Sequence, residues 1–109
     1  MELTTPDAIQ MIAAALFAIG VYGVLARRNL LIVLMSVELM LNGANLSIVG
    51  FSRELAAAPG ASEGGQALVL MAMAVAAAEV AVGLSILIAV FRHARSVDVD
   101  AARLTTLRG

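Results

Sequence analysis

Three long stretches of this 109-residue chain carry almost no charge, and this feature constrains the fold more than any other. They cover residues 8–26, 30–51 and 66–91. Each is long enough to cross a hydrocarbon core of about 30 Å as an α-helix. A backbone within lipid must satisfy its own hydrogen bonds, which leaves helices or closed barrels, and three segments cannot close a barrel. The sequence therefore predicts an all-α integral membrane protein with three transmembrane helices.

The composition agrees with a membrane protein and excludes several functions. Hydrophobic residues make up 61% of the chain and charged residues 14%, and a soluble chain this short could not bury so much apolar surface. The net charge of −1 gives no nucleic-acid-binding footprint. The chain has no cysteine and one histidine, His93, so it lacks the usual ligands of a redox centre. We expect one membrane domain over residues 1–109, with no metal or cofactor bound.

The arginines predict the orientation of the helices. Arg27 and Arg28 lie between the first and second helices, and Arg92 and Arg95 begin a polar tail at residues 92–109. An odd number of spans places both groups on one side of the membrane, which the positive-inside rule assigns to the cytoplasm. We therefore expect the N-terminus outside and the C-terminus in the cytoplasm. The three-residue connection 27–29 also requires the first two helices to be antiparallel neighbours.

Two glutamates interrupt the second and third apolar stretches. Glu38 lies about 13 Å from the connection 27–29 and Glu79 about 20 Å from Arg92, at 1.5 Å per residue. A charge at this depth costs roughly 2.5–3.5 kcal/mol, and such residues often mark proton pathways. Asn42, one turn beyond Glu38, could support a relay or bond a neighbouring helix. A structural hydrogen bond remains the alternative role for each glutamate alone, and Arg28 with its neighbour Arg27 could be a topology anchor or contact a partner.

Two segments resemble the K-subunit family of bacterial respiratory complex I, the proton-pumping NADH:quinone oxidoreductase. They read RRNLLIVLMSVELMLNGANL at residues 27–46 and GQALVLMAMAVAAAEVAVGLSILIAVFR at residues 65–92. The resemblance implies three spans and a role in proton translocation, with Glu38 and Glu79 matching the two intramembrane glutamates of the family. It also matches Arg27 and Arg28 to the arginine pair of the family's short cytoplasmic loop. The loop with the segment ELAAAPGASEGG and the tail beyond Arg95 are longer than the family pattern predicts.

The resemblance also implies partners and a location. The family lies in the membrane arm of complex I in the bacterial plasma membrane, beside the J, A and N subunits and near the H subunit. NADH, flavin, iron–sulfur clusters and quinone are then expected in partner subunits and none in this chain. The C subunit of multisubunit sodium/proton antiporters is the alternative, because it shares the three-helix plan and the QALVL segment. That family generally lacks a glutamate at the position of Glu38, which favours complex I.

Overall fold

The computed structural model describes residues 4–57, 64–95 and 97–100, and it contains three long helices. They are α1 (Thr5–Ala26), α2 (Leu30–Ala56) and α3 (Gly64–Ala94). Their most apolar segments have mean hydropathies of 2.1, 1.7 and 2.3, so each helix is long and apolar enough to cross a membrane. The predicted all-α architecture with three spans is confirmed.

Side chains at the first turns explain where α1 and α2 begin. Thr4 and Asp7 form a reciprocal capping box in which the Thr4 hydroxyl accepts from the Asp7 backbone N–H and the Asp7 carboxylate accepts from that of Thr4. At α2 the Asn29 side chain accepts from the backbone N–H of Leu31 at 2.9 Å and from that of Ile32 at 3.4 Å. The connection 27–29 therefore ends one helix and starts the next, since its last residue is the N-cap.

The helices are longer than the apolar stretches that predicted them. α2 continues past Phe51 to Ala56, and α3 runs from Gly64 to Ala94. The segment SRELA that extends α2 is polar but contains good helix formers. The helix therefore continues beyond its apolar, lipid-spanning part. Arg92 and His93 belong to the last turn of α3 rather than to a tail. The remainder of the predicted outer loop, residues 58–63, and of the tail, residues 96 and 101–109, lies outside the described residues.

α1 and α2 pack closely because small residues line their contact. A Cβ atom added to Gly43 would lie 2.8 Å from the backbone oxygen of Ala13, so the two backbones approach without room for a side chain. Gly20 makes a similar approach to Ser36. Ser36 is itself buried, and its hydroxyl donates to the carbonyl of Ile32 at 2.7 Å. This antiparallel contact matches the one predicted from the short connection, and small residues at such contacts are typical of membrane helices.

The three helices form a single flat layer with α2 in the middle. α2 packs along α1 and, less extensively, along α3, while α1 and α3 make almost no contact. The molecule measures 63 × 31 × 15 Å, so it is much thinner in one direction than in the other two. Both broad faces of α2 and α3 are therefore open to lipid or to other chains.

Candidate functional site

The two intramembrane glutamates lie at the same level of the α2–α3 pair. Gly65 of α3 approaches Ser52 of α2, and Gly83 approaches Leu34, which fixes one antiparallel register along the whole contact. One helical turn on from Leu34 is Glu38, and one turn back from Gly83 is Glu79. The sequence predicts that both carboxylates lie near mid-membrane, and the register of the structure brings Glu38 and Glu79 to the same level of two adjacent helices.

Glu38 lies in a groove of about 320 Å³ between α2 and α3. Asn42, one turn further along α2, lines the same groove, as predicted from its spacing. The remaining lining is aliphatic, so the carboxyl and the amide are the polar groups of this groove. Its other lining residues are Leu31, Leu34, Met35, Leu39, Val80 and Leu84.

Glu79 lies in a second groove of about 310 Å³ between the same two helices. Asn45 of α2 lines this groove and supplies its other polar group. The small side chains of Ala72 and Ala76 leave space beside the carboxyl. The other lining residues are Leu41, Leu68, Met71 and Val75.

The two grooves share no residue and lie on opposite sides of the line where α3 meets α2. Gly65 and Gly83 mark this line on α3. Glu79 lies to one side of it and Val80, which lines the Glu38 groove, lies to the other, because consecutive helical residues are about 100° apart. Asn42 and Asn45 follow Glu38 at four and seven positions, and this spacing predicts one polar stripe on α2. In the structure Asn42 lies in the groove of Glu38, on the same helix. Asn45 lies instead in the groove of Glu79, across from it on α2.

Neither carboxylate has a hydrogen bond or an ion pair with any residue at positions 4–57, 64–95 or 97–100. Glu38 is half-buried, whereas Glu79 is exposed on the surface of α3. The described arginines lie at the helix ends, so none neutralises these groups at depth. Each carboxyl group is therefore available to water or to groups supplied by another chain. The same described residues contain no group of three or more metal-ligating side chains.

The arginine pair lies in the connection between α1 and α2, and its two members differ. Arg28 forms an ion pair with Asp100, which follows α3 in the chain. The Arg27 side chain is exposed and makes no hydrogen bond or ion pair with a described residue. The structure thus places both arginines at the end of the molecule where α3 also ends, far along the helices from the glutamates.

Sequence reasoning missed one polar cluster between α1 and α2. The Gln10 side-chain amide donates to the Ser47 backbone oxygen at 3.2 Å, and the Ser47 hydroxyl donates to the Gln10 carbonyl oxygen at 2.5 Å. Both lie at the end of a groove of about 340 Å³ lined mainly by alanine, glycine and phenylalanine. Gln10 is the only amide in the first apolar stretch, which is a signal for an interhelical bond.

These features define a small, multi-pass α-helical membrane protein with two in-register carboxylates inside its membrane layer. Residues 8–106 match the family described as NADH-ubiquinone/plastoquinone oxidoreductase chain 4L, and the chain belongs to this family. The match extends to residue 106 and so includes most of the tail beyond Arg95, which the sequence alone predicts to be longer than the family pattern.

Individual relatives agree with the family match. The chain is 55% identical over 97 residues to NADH-quinone oxidoreductase subunit 11 of Thermus thermophilus, covering 89% of this chain and 94% of that protein. It is 50% identical over 99 residues to subunit K 1 of Syntrophobacter fumaroxidans, covering 91% and 92%. It is likewise 50% identical over 99 residues to subunit K of Salinibacter ruber, covering 91% and 93%. These relatives support a complex I membrane subunit over the antiporter alternative, so the partners of the chain are other subunits of that complex.

Proposed function

We propose that this membrane subunit of NADH-quinone oxidoreductase relays protons through Glu38 and Glu79. One observation carries the proposal: the two carboxyl groups lie at one level of adjacent helices, each in its own groove and without a partner among the described residues. A purely structural glutamate inside a membrane would be expected to bond a neighbouring helix. Two unpaired carboxyl groups in register are better suited to taking up and releasing protons.

The chemistry needs only the carboxyl groups, water and a change in their surroundings. The charged form of either glutamate is costly within lipid, so its protonation responds strongly to hydration and to nearby charge. A conformational step elsewhere in the complex that hydrates one groove, or brings a charge to it, would move the proton from one carboxyl to the other. The chain would thus couple proton movement to redox chemistry that takes place in partner subunits.

The positions of the two grooves support a lateral path for this relay. A proton passing from Glu38 to Glu79 crosses the line where α2 meets α3, from one broad face of the layer to the other. Asn42 lies in the first groove and Asn45 in the second, and amide side chains can both donate to and accept from bridging water. We therefore infer that Asn42 holds bridging water near Glu38 and that Asn45 does the same near Glu79.

The proposal extends to partners and orientation. Because the two grooves open on different faces, two different neighbours complete them, and the J, A and N subunits of the membrane arm, with H nearby, are the proposed surroundings. NADH, flavin, iron–sulfur clusters and quinone are assigned to partner subunits. The complex would lie in the bacterial plasma membrane, with the N-terminus outside and the connection bearing Arg27 and Arg28 in the cytoplasm.

The test compares the same substitution at two glutamates of α2, Glu38 inside the membrane layer and Glu54 near the end of the helix. Glu38→Gln keeps the size and hydrogen-bonding capacity of the side chain and removes its titratable proton. We expect the complex to assemble and its proton-coupled quinone reduction to fall sharply in membrane vesicles. Glu54→Gln, the same change near the outer end of α2, is the matched control and should retain normal coupling. Normal proton pumping by assembled Glu38→Gln complex would refute the proposal.

A further inference from the structure

The segment that follows α3 folds back onto the connection between α1 and α2. The backbone N–H of Leu30 donates to the carbonyl of Val97 at 2.9 Å, and the N–H of Val99 donates to the carbonyl of Arg28 at 3.1 Å. These two bonds form an isolated antiparallel bridge between Asn29 and Asp98. Residues 97–100, named here the latch, therefore tie the end of α3 to the start of α2.

A turn at Arg95 directs the chain from α3 into the latch. Arg95 has a φ of 52°, and its backbone N–H donates to the carbonyl of Phe91 at 2.8 Å. A left-handed residue with this bond is a common way for a helix to end, although glycine is the usual residue there. An arginine in this conformation is disfavoured on its own, so contacts beyond the turn must hold it.

An ion pair between Arg28 and Asp100 completes the latch. The two side chains are 78% and 58% exposed, and ion pairs this exposed contribute little stability by themselves. The pair instead adds a charge contact between the same two segments that the backbone bridge joins. Arg27, its neighbour, has no such contact among the described residues, so the two arginines have different roles.

α3 depends on this tie more than the other helices do. It packs on α2 alone, and none of its most apolar segment is buried within the chain. Of the two glycine approaches along the α2–α3 contact, that of Gly83 to Leu34 lies nearer the latch, one turn from the Glu38–Glu79 level. A shift of α3 at the latched end would therefore change the position of Glu79 relative to Glu38 along the α2–α3 contact.

We propose that the latch sets the register of α3 on α2, and that Arg28 is a positioning residue for the two glutamates through its ion pair with Asp100. Arg27, by contrast, is left to act on a partner of the chain. Only the proton-translocation readout of this inference rests on the proposed function. The register of α3 on α2 is measured separately, by cross-linking.

Disulfide formation within the assembled complex measures the register. The chain has no cysteine, so the pair Leu34→Cys and Gly83→Cys reports the latched end of the contact, and Ser52→Cys with Gly65→Cys reports the far end. A protease site inserted in the segment 58–63 makes the bond visible, since cleaved halves stay together on a non-reducing gel only when cross-linked.

Charge reversal then tests the latch. Asp100→Arg should slow cross-linking at the latched end about two- to fivefold, the effect of an exposed ion pair, and leave the far pair unchanged. Adding Arg28→Asp should restore the rate and the coupled proton translocation, whereas adding Arg27→Asp should restore neither. Asp100→Asn serves the same purpose if the reversal prevents assembly.

Three results would overturn the inference. The first is unchanged cross-linking at the latched end in Asp100→Arg and Asp100→Asn. The second is equal rescue by Arg27→Asp and Arg28→Asp, which would show that the net charge of the connection 27–29 matters and the specific ion pair does not. The third is altered cross-linking with unaltered proton coupling, which would remove the positioning role of Arg28 while leaving the glutamate relay to its own test.

Discussion

Adding one methyl group at Gly43 should weaken the contact between α1 and α2. The new Cβ atom would lie 2.8 Å from the Ala13 backbone oxygen and 3.1 Å from the Phe17 backbone nitrogen, closer than ordinary contact, which begins at 3.4 Å. Alanine gains about 1 kcal/mol over glycine in helix propensity, but overpacking costs about 1–3 kcal/mol. The clash is with backbone atoms that cannot rotate away, so overpacking wins and we expect a net loss of about 1 kcal/mol.

Gly83→Ala is the matched control for this prediction. Its Cβ atom would meet the end of the Leu34 side chain at 3.0 Å, and that side chain can change rotamer. The gain in helix propensity should then offset the packing cost. The assay is the temperature at which half of the chain is lost from the purified complex. Gly43→Ala should lower this temperature and Gly83→Ala should leave it nearly unchanged, whereas the opposite order would refute the packing argument.

Three further outcomes are expected. Removing the side chains of Gln10 and Ser47 singly and together should give a coupling energy of about 0.6 kcal/mol in a double-mutant cycle of complex stability, and zero coupling would contradict the hydrogen-bonded pair. Glu79→Ala should regain proton coupling when combined with Val75→Glu, which lines the same groove, but not with Ala77→Glu, and equal rescue would contradict a defined face. A reporter fused after the last residue should be active only as a cytoplasmic fusion, and periplasmic activity would reverse the proposed orientation.

Hydrophobicity alone predicts the number of helices and one of their two contacts. The three apolar stretches give three spans, and the connection 27–29 is too short for α1 and α2 to be anything but antiparallel neighbours. The helix ends are less predictable, because a helix continues through polar residues after it leaves the lipid. The segment SRELA, for example, extends α2 to Ala56 although the apolar pattern stops at Phe51.

The face of α3 that meets α2 is indicated in the sequence only by the small residues Ala72, Ala76 and Gly83, which allow a neighbouring helix to approach. The rest of α3 is apolar and rich in alanine, so it has no amphipathic pattern that would identify the contact more closely. The depth of Glu38 and Glu79 follows from residue counting, but their separate grooves follow from the approach of Gly83 to Leu34. The same approach makes position 83 a poor site for a relocated carboxylate, although spacing alone places it on the Glu79 side as readily as position 75.

The latch also left no usable signal in the sequence. Residues 97–100 alternate valine and aspartate, a pattern too short to indicate a strand, and the partner backbone lies about 70 residues earlier. The arginine pair predicts on which side of the membrane the connection 27–29 lies, because the positive-inside rule counts positive charges. That rule treats Arg27 and Arg28 alike, whereas the structure gives an ion pair to Arg28.

The number of protons translocated per NADH oxidised tests most directly whether Glu38 and Glu79 act as one relay. The measurement compares Glu38→Gln, Glu79→Gln and the double variant in sealed vesicles containing assembled complex. We predict a large loss for Glu38→Gln, a smaller loss for the more exposed Glu79, and a double variant no worse than Glu38→Gln, because residues of one pathway are not additive. Losses that simply add, or a proton yield unchanged in both single variants, would contradict the account.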